Sequence, residues 1–171
     1  MTLRRGFAVI VALGAAFVAV GCGDDDDSGE YKKSTLVYES PTIKIEVGDN
    51  PPKDASRGDL RAFTSPLVDE ETGEEAGRLD GTVSVTDVSE RDGEEVEYRA
   101  GTIQFTLDEG TIVAAGVYVA PVGEVVPASV GVSRPIVGGT GDYLNARGQV
   151  TQTDLGGGAY RNKLEVEVPG E

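Results

Sequence analysis

The sequence predicts an all-β protein whose main domain is an eight-stranded antiparallel barrel, and three observations support this. Apolar and polar residues alternate with a period of two through most of the chain after residue 30. Segments rich in glycine, proline, asparagine and aspartate separate the alternating runs, as turns between strands do. No stretch after residue 30 has the period of an amphipathic helix.

The first three predicted strands are 35–47, 59–67 and 77–88. The first alternates clearly near its end, but it contains Pro41 and is expected to break there, because proline cannot donate a hydrogen bond to a neighbouring strand. The second and third are separated by the turn signal Thr72-Gly73. Each run places an apolar row on one face of the sheet and a polar row on the other.

The next two strands are 95–107 and 111–119, joined by the turn signal at 108–110. The first of them ends in a strict alternation of isoleucine, phenylalanine and leucine with polar residues. The second is apolar on both faces, which predicts a central strand covered on both sides, by the interior and by a partner or a loop.

The last three predicted strands are 128–137, 146–154 and 160–168, separated by the glycine-rich segments 138–142 and 156–158. Eight strands joined by short turns suit a closed barrel, which has no exposed edges and whose interior can just hold one small ligand. A two-sheet sandwich would show the same alternation, so the pattern by itself leaves both architectures open.

The N-terminal residues have the features of an export signal. Arg4 and Arg5 precede an apolar run at 6–20, which is too short for a typical spanning helix. The following Ala-Val-Gly-Cys at 19–22 resembles the lipobox of bacterial lipoproteins, in which the cysteine thiol receives a diacylglycerol and cleavage occurs just before it. A plain signal peptide and an uncleaved anchor are the alternatives.

The resulting domain division is a signal peptide at 1–21, a lipidated Cys22 with an acidic tether at 22–33, and the barrel at 34–168. The tether contains four consecutive aspartates, whose mutual repulsion favours an extended chain. Weak calcium binding is the alternative, although nothing there fixes a coordination geometry. This division predicts a protein of the bacterial cell envelope, held to a membrane through Cys22 and facing outside the cytoplasm.

Composition excludes several classes of function. Without the signal peptide, the chain has 30 acidic and 13 basic residues and a formal charge of −17, which disfavours nucleic-acid binding. The chain has no histidine, so a Ser-His-Asp triad, a Cys-His pair and histidine-ligated metals are excluded. Its single cysteine cannot form an internal disulfide. We expect no cofactor and no metal.

Two segments resemble the allene oxide cyclase and dirigent proteins. Residues 58–69, followed by Gly77 and Gly81, resemble their first hairpin, and 135–148, Pro-Ile-Val-Gly-Gly-Thr-Gly-Asp-Tyr-Leu-Asn-Ala-Arg-Gly, resemble their glycine-rich hallmark. From the residues alone, the glycines of the second segment predict a tight turn with positive φ, after which Tyr143 and Leu144 could plug one barrel end. A phosphate-cradling loop is the alternative, but no amphipathic helix follows.

The resemblance implies an eight-stranded barrel with a largely apolar lumen that is often trimeric. Allene oxide cyclases close a ring in a fatty-acid epoxide, and dirigent proteins steer the coupling of phenolic radicals. Glu39 matches a glutamate on the first strand of the plant cyclases. Pro41 stands where these enzymes have a water-holding asparagine, and Val83 falls near their third-strand cysteine.

Five residues are candidates for a site. Glu39 could be a lumen carboxylate that polarises a ligand, or it could lie on a solvated face. Tyr98 and Tyr118 could present hydroxyl groups to a ligand, or they could pack on the sheet. Arg61 and Arg134 could neutralise a carboxylate ligand, or they could pair with the many acidic residues of the chain.

These observations favour a lipid-anchored, non-catalytic barrel that binds a small apolar ligand or acts as a scaffold. The alternative is a cyclase, isomerase or dirigent-type enzyme acting on an oxidised lipid or a phenolic, which would need polar side chains that converge inside the lumen. A subunit of a surface assembly is a third possibility, because of the two-faced apolar strand at 111–119. The expected partners are a membrane, a small apolar molecule and, through the resemblance, two further copies of the chain.

Overall fold

A computed structural model describes residues 30–48, 55–124, 126 and 131–170, and within these ranges the regular structure is entirely β. No helix in the described part of the chain is long and apolar enough to cross a membrane. The predicted signal peptide and Cys22 lie outside the described residues. The strands are β1 (Tyr31–Ser40), β2 (Lys44–Gly48), β3 (Leu60–Asp69), β4 (Glu75–Arg91), β5 (Glu94–Leu107), β6 (Gly110–Pro121), β7 (Val132–Gly141), β8 (Arg147–Gly156) and β9 (Ala159–Pro169).

The strands form one antiparallel sheet that closes on itself. Neighbours from β2 to β9 follow chain order, β9 pairs with β1, and β1 pairs with β3 through Tyr38–Asp69 and Glu39–Val68. β1 and β2 both pair with β3, each along a different part of its length, so they count as one broken strand. The barrel therefore has eight strands around its circumference. The predicted break at Pro41 and the predicted eight-stranded barrel are both confirmed, and the sandwich alternative is excluded.

Most predicted strand ends shift by a few residues. The largest shifts, of four residues, are at the start of the first strand and at both ends of β7. Because β1 begins at Tyr31, residues 31–33 belong to the barrel and not to the tether. Tyr31 pairs with Pro169 in the β1–β9 ladder, and the Arg147 guanidinium lies 3.6 Å from the centre of its ring. Ladder hydrogen bonds and this cation–π contact hold these residues against β8 and β9.

The greater part of the lumen is filled by apolar side chains. Inward-facing residues of β3 to β9 form one cluster, and its central members have no solvent-exposed surface, so no water-sized gap lies beside them. Each such side chain stabilises the barrel by about 1.5–3 kcal/mol. The fully buried members are Leu67, Leu79, Ile103, Phe105, Ile112, Ala114, Val150 and Leu164.

The glycine-rich segment forms the end of β7 and not a separate loop. Gly138–Gly141 pairs with Gly110–Val113 of β6, and the turn follows at 142–145. Gly141 has a φ of +60°, as the turn prediction required. At Gly139 a side chain would run into the backbone oxygens of Thr111 and Tyr143, so this glycine permits close packing of the turn on β6. Tyr143 packs against the core, but the prediction for Leu144 was wrong, because its side chain is 62% exposed.

Candidate functional site: a polar cluster at one end of the lumen

One end of the lumen is lined by polar and charged side chains instead of apolar ones. They come from seven strands and occupy the same inward-facing rows as the apolar core, because each is an even number of residues away from a core residue of its own strand. We call this set the polar end of the lumen. It consists of Ser40, Arg61, Glu97, Arg99, Tyr118, Arg134, Gln152 and Asn162.

Glu97 lies at the centre of one half of the polar end. Its carboxylate accepts hydrogen bonds from Nη1 and Nη2 of Arg61 at 2.7 and 3.0 Å, and from Nε of Arg99 at 2.6 Å. The side chains of Glu97 and Arg99 are fully buried, and that of Arg61 is 15% exposed. Burial acts to raise the pKa of Glu97, but the hydrogen bonds from both arginines outweigh it, so the pKa lies below its usual value. The residue is therefore a buried carboxylate.

The other half is a chain of hydrogen bonds that starts at Arg134. Nη1 of Arg134 donates to Oε1 of Gln152 at 2.6 Å, and Nε2 of Gln152 donates to Oδ1 of Asn162 at 2.8 Å. Nδ2 of Asn162 donates to Oγ of Ser40 at 3.0 Å. The guanidinium of Arg134 lies 4.5 Å from the centre of the Tyr118 ring, whose other guanidinium neighbour, Arg99, lies at 5.8 Å. Tyr118 thus joins the two halves.

The charges at the polar end do not balance. Three guanidinium groups are gathered there with the single carboxylate of Glu97. The carboxylate of Asp59, which is also buried and acts on Arg61 electrostatically, accepts hydrogen bonds from the Ser56 amide and hydroxyl, both at 2.9 Å. Within the described residues, no group of acidic residues or cysteines is arranged to hold a metal ion. Even with Asp59 counted, guanidinium groups outnumber carboxylates, so the polar end is a locally cationic cluster in a strongly acidic chain.

The polar end lies next to the part of the barrel where the ladder between β6 and β7 ends. Pairing between β6 and β7 runs only from Gly110–Gly141 to Ala114–Ile136, although β6 continues to Pro121. Val126, in the segment that connects these strands, is buried in a small cluster with Val132 and Tyr160, against which Tyr118 packs.

Of the residues named from sequence, the structure brings three to the polar end. Tyr118, Arg61 and Arg134 point into the lumen, whereas Glu39 and Tyr98 are half-buried residues on the opposite side of their strands. Glu39 lies between the buried residues Tyr38 and Ser40 and faces away from them, so it does not join the site. Burial raises the pKa of the neighbouring Tyr38 hydroxyl to about 12, which keeps that phenol neutral.

Five residues of the polar end were missed by the sequence analysis. Glu97 and Arg99 are in phase with Ile103 and Phe105 of the same strand. Gln152 is in phase with Val150, and Asn162 with Leu164, in the same way. A polar residue that continues an apolar row was the available signal. The missed residues are Ser40, Glu97, Arg99, Gln152 and Asn162.

Comparison with known families supports the architecture. Residues 40–165, well over half of the chain, match the family described as "Allene oxide cyclase barrel like domain". The match spans the barrel from the end of β1 to near the end of β9. A comparison with curated proteins finds no match.

Solved structures share the fold at low sequence identity. A pyocyanin demethylase is 20% identical with a TM-score of 0.63, covering 78% of this chain and 99% of its own. AbnU, an exo-specific intermolecular Diels-Alderase, is 21% identical with a TM-score of 0.61, covering 82% and 100%. The pterocarpan synthase dirigent protein GePTS1 is 18% identical with a TM-score of 0.58, covering 83% and 88%. At these identities the likeness establishes the fold.

Proposed function

Because the chain belongs to the allene oxide cyclase barrel-like family, we propose that its barrel binds a small organic molecule at the polar end of the lumen. The observation that supports this is the convergence of charged and polar side chains from seven strands in a buried position. The rest of the lumen is lined by apolar side chains, which offer a ligand no charged or hydrogen-bonding groups. The polar end is therefore the part of the interior that we assign to a ligand.

A purely structural role would not need such a cluster. Burying charged groups costs several kcal/mol per ion, and well-packed apolar residues of similar volume often give equal or better stability. The same barrel fills its other end with apolar residues. Buried charged groups that lower the stability of the fold in one region are typical of a recognition site, where the residues serve binding and not stability.

Native mass spectrometry of the full chain, purified in detergent, tests this proposal by detecting co-purified small molecules. The informative variant is Tyr118→Ala in the polar end, and the matched control is Tyr98→Ala on the outward side of the adjacent strand β5. We expect the wild type and Tyr98→Ala to carry the same adduct and Tyr118→Ala to lose it. A wild-type protein without adducts, or an adduct unaffected by Tyr118→Ala, would contradict the proposal.

A second candidate function is catalysis of the cyclase, isomerase or dirigent type. It is favoured by one observation: the Glu97 carboxylate, the guanidinium groups and the Tyr118 phenol meet in one buried region, as an enzyme of this kind requires. In such a barrel the bound geometry would do most of the work. The test is incubation with a fatty-acid allene oxide, or with a phenol and a one-electron oxidant, followed by chiral chromatography. Racemic product at the uncatalysed rate would exclude this candidate.

We also propose that the protein is a lipoprotein of the cell envelope. The proposal is supported by the N-terminal sequence, in which a basic pair, an apolar run and a lone cysteine occur in the order of a lipoprotein signal. The barrel begins at Tyr31, which leaves 22–30 as a short acidic connection to the lipid. Such a connection would keep the barrel close to the membrane surface.

A further inference from the structure

We propose that Arg134 is the binding residue for a carboxylate group, so that the ligand of the polar end is a small organic acid. This inference rests on the proposed function and names the chemical class of its ligand. It is carried by the position of one buried cation whose described partners are all neutral. The sequence alone favoured a small apolar ligand and offered Arg61 and Arg134 equally for a carboxylate, whereas the structure singles out Arg134.

The surroundings of Arg134 are unlike those of the other two arginines. Arg61 and Arg99 both donate to the carboxylate of Glu97. Arg134, only 2% exposed, forms no ion pair with any described residue, and its partners are the neutral side chains of Gln152 and Tyr118. Its Nε is buried and lacks a hydrogen-bond partner among the described residues. A buried donor without an acceptor and a buried cation without an anion coincide in one side chain.

Both deficits point to an anionic acceptor. An uncompensated buried charge is strongly destabilising, and a buried donor without a partner adds the loss of its hydration. The Nε–H is one half of the guanidinium edge from which a carboxylate accepts two parallel hydrogen bonds. A carboxylate at this edge would satisfy the donor and neutralise the charge together.

The neighbours of Arg134 indicate which kind of organic acid would bind there. The Tyr118 ring lies against the same guanidinium, so the organic part of a planar acid can stack beside it. Val126 and Tyr160 form a buried apolar cluster against which Tyr118 packs, so the surroundings favour a small, partly apolar molecule. The acidic exterior of the chain opposes the approach of multiply charged anions such as phosphate esters more than that of a monocarboxylate.

The test compares benzoate with benzamide, its neutral analogue of nearly the same shape. The protein is the full chain, labelled with ¹⁵N and purified in detergent, and the signal is the Nε–Hε resonance of Arg134, assigned by its loss in Arg134→Lys. We expect saturable movement of this resonance with benzoate and little with benzamide. The Tm should also rise with benzoate, since a ligand that binds only the folded state stabilises it.

Variants separate recognition from a structural role. Arg134→Gln should weaken benzoate binding by at least about tenfold, the scale of a lost charge-assisted hydrogen bond. Arg134→Lys keeps the positive charge but lacks the guanidinium edge. It replaces the glutamine variant if that variant does not fold, and we expect a similar loss of benzoate affinity. Arg161→Gln, at an exposed arginine that pairs with Glu70, is the control and should bind benzoate normally.

The outcomes also distinguish this inference from the proposed function. If benzamide and benzoate bind equally well, or if the Arg134 resonance is unmoved by benzoate, the carboxylate inference is overturned. A co-purified adduct that depends on Tyr118 would in that case still support ligand binding at the polar end. If neither probe binds and no adduct is found, both the inference and the proposed function fail.

Discussion

At the scale of single residues, Glu97 determines the electrostatic balance of the polar end. Its side chain is fully buried between Arg61 and Arg99, and it is the carboxylate that both guanidinium groups contact. Because its pKa is lowered in the folded state, the stabilisation is present above the pKa of the unfolded chain and is lost as the pH falls through the folded value. Because of Glu97, the free energy of unfolding of the barrel should therefore decrease at acidic pH.

Replacing Glu97 by glutamine should destabilise the barrel by about 3–5 kcal/mol, because it leaves the buried guanidinium of Arg99 without its carboxylate. Urea unfolding monitored by circular dichroism measures the change. The matched control is Glu165→Gln, since Glu165 is a glutamate at the barrel surface that contacts Lys163 and Gln149. We expect the control to lose less than about 1 kcal/mol. Equal effects of the two substitutions would show that the buried ion pairs do not stabilise the fold.

At the scale of elements, β7 combines the two features that shape the site. Its first half carries Arg134 into the lumen, and its second half, the glycine-rich segment, pairs with β6. Within the described residues, β6 and β7 pair only along that glycine-rich half. The packing of the glycine segment therefore holds β7 in place, while beside the polar end β7 contacts β6 through side chains such as Arg134 on Tyr118 and not through ladder pairs.

Gly139→Ala should destabilise the protein by about 1–3 kcal/mol, because the added methyl group would collide with the backbone oxygens of Thr111 and Tyr143. Gly48→Ala is the control, since a Cβ there meets its nearest atom at 3.7 Å, an ordinary contact. Thermal unfolding of the two variants measures the difference. If Gly139→Ala melts together with Gly48→Ala, the close approach of β6 to the turn is not tight in solution.

At the scale of the whole molecule, charge is distributed unevenly between the surface, the lumen and the N-terminal segment. The chain is strongly acidic, whereas the polar end of its lumen holds more guanidinium groups than carboxylates. On the outside, β6 leaves Val117 69% exposed, so no loop of the described residues covers it, and cover by a partner stays a prediction. The homotrimer implied by the family resemblance stays a prediction, which light scattering on the purified full chain can measure.

Cys22→Ser should release the protein from the membrane fraction, because a serine cannot accept the thioether-linked lipid expected at this position. Fractionation of cells and intact-mass measurement of the purified chain check the result. Ser28→Ala, in the same acidic segment, should stay membrane-bound and serves as the control. An unmodified Cys22 in the wild type would contradict the lipoprotein assignment.

The sequence by itself determined the fold class and the positions of most strands. Alternation is a local property with a period of two, so Ile103 and Phe105 predicted one buried face of β5 without knowledge of its neighbours. The break between β1 and β2 was also predictable, because Pro41 lacks the amide hydrogen that a ladder requires. The glycine-rich segment carried enough specific residues to indicate the family.

Only the tertiary structure decided which polar residues meet. Arg61, Glu97 and Arg134 come from three strands, and their convergence depends on the register across the sheet and on closure of the barrel, both of which are set by non-local contacts. The same alternation that predicts a strand does not say which face is inside when polar residues lie on both. Glu39 shows the consequence: its residue type suggested a lumen carboxylate, but the burial of Tyr38 and Ser40 turns it to the outside.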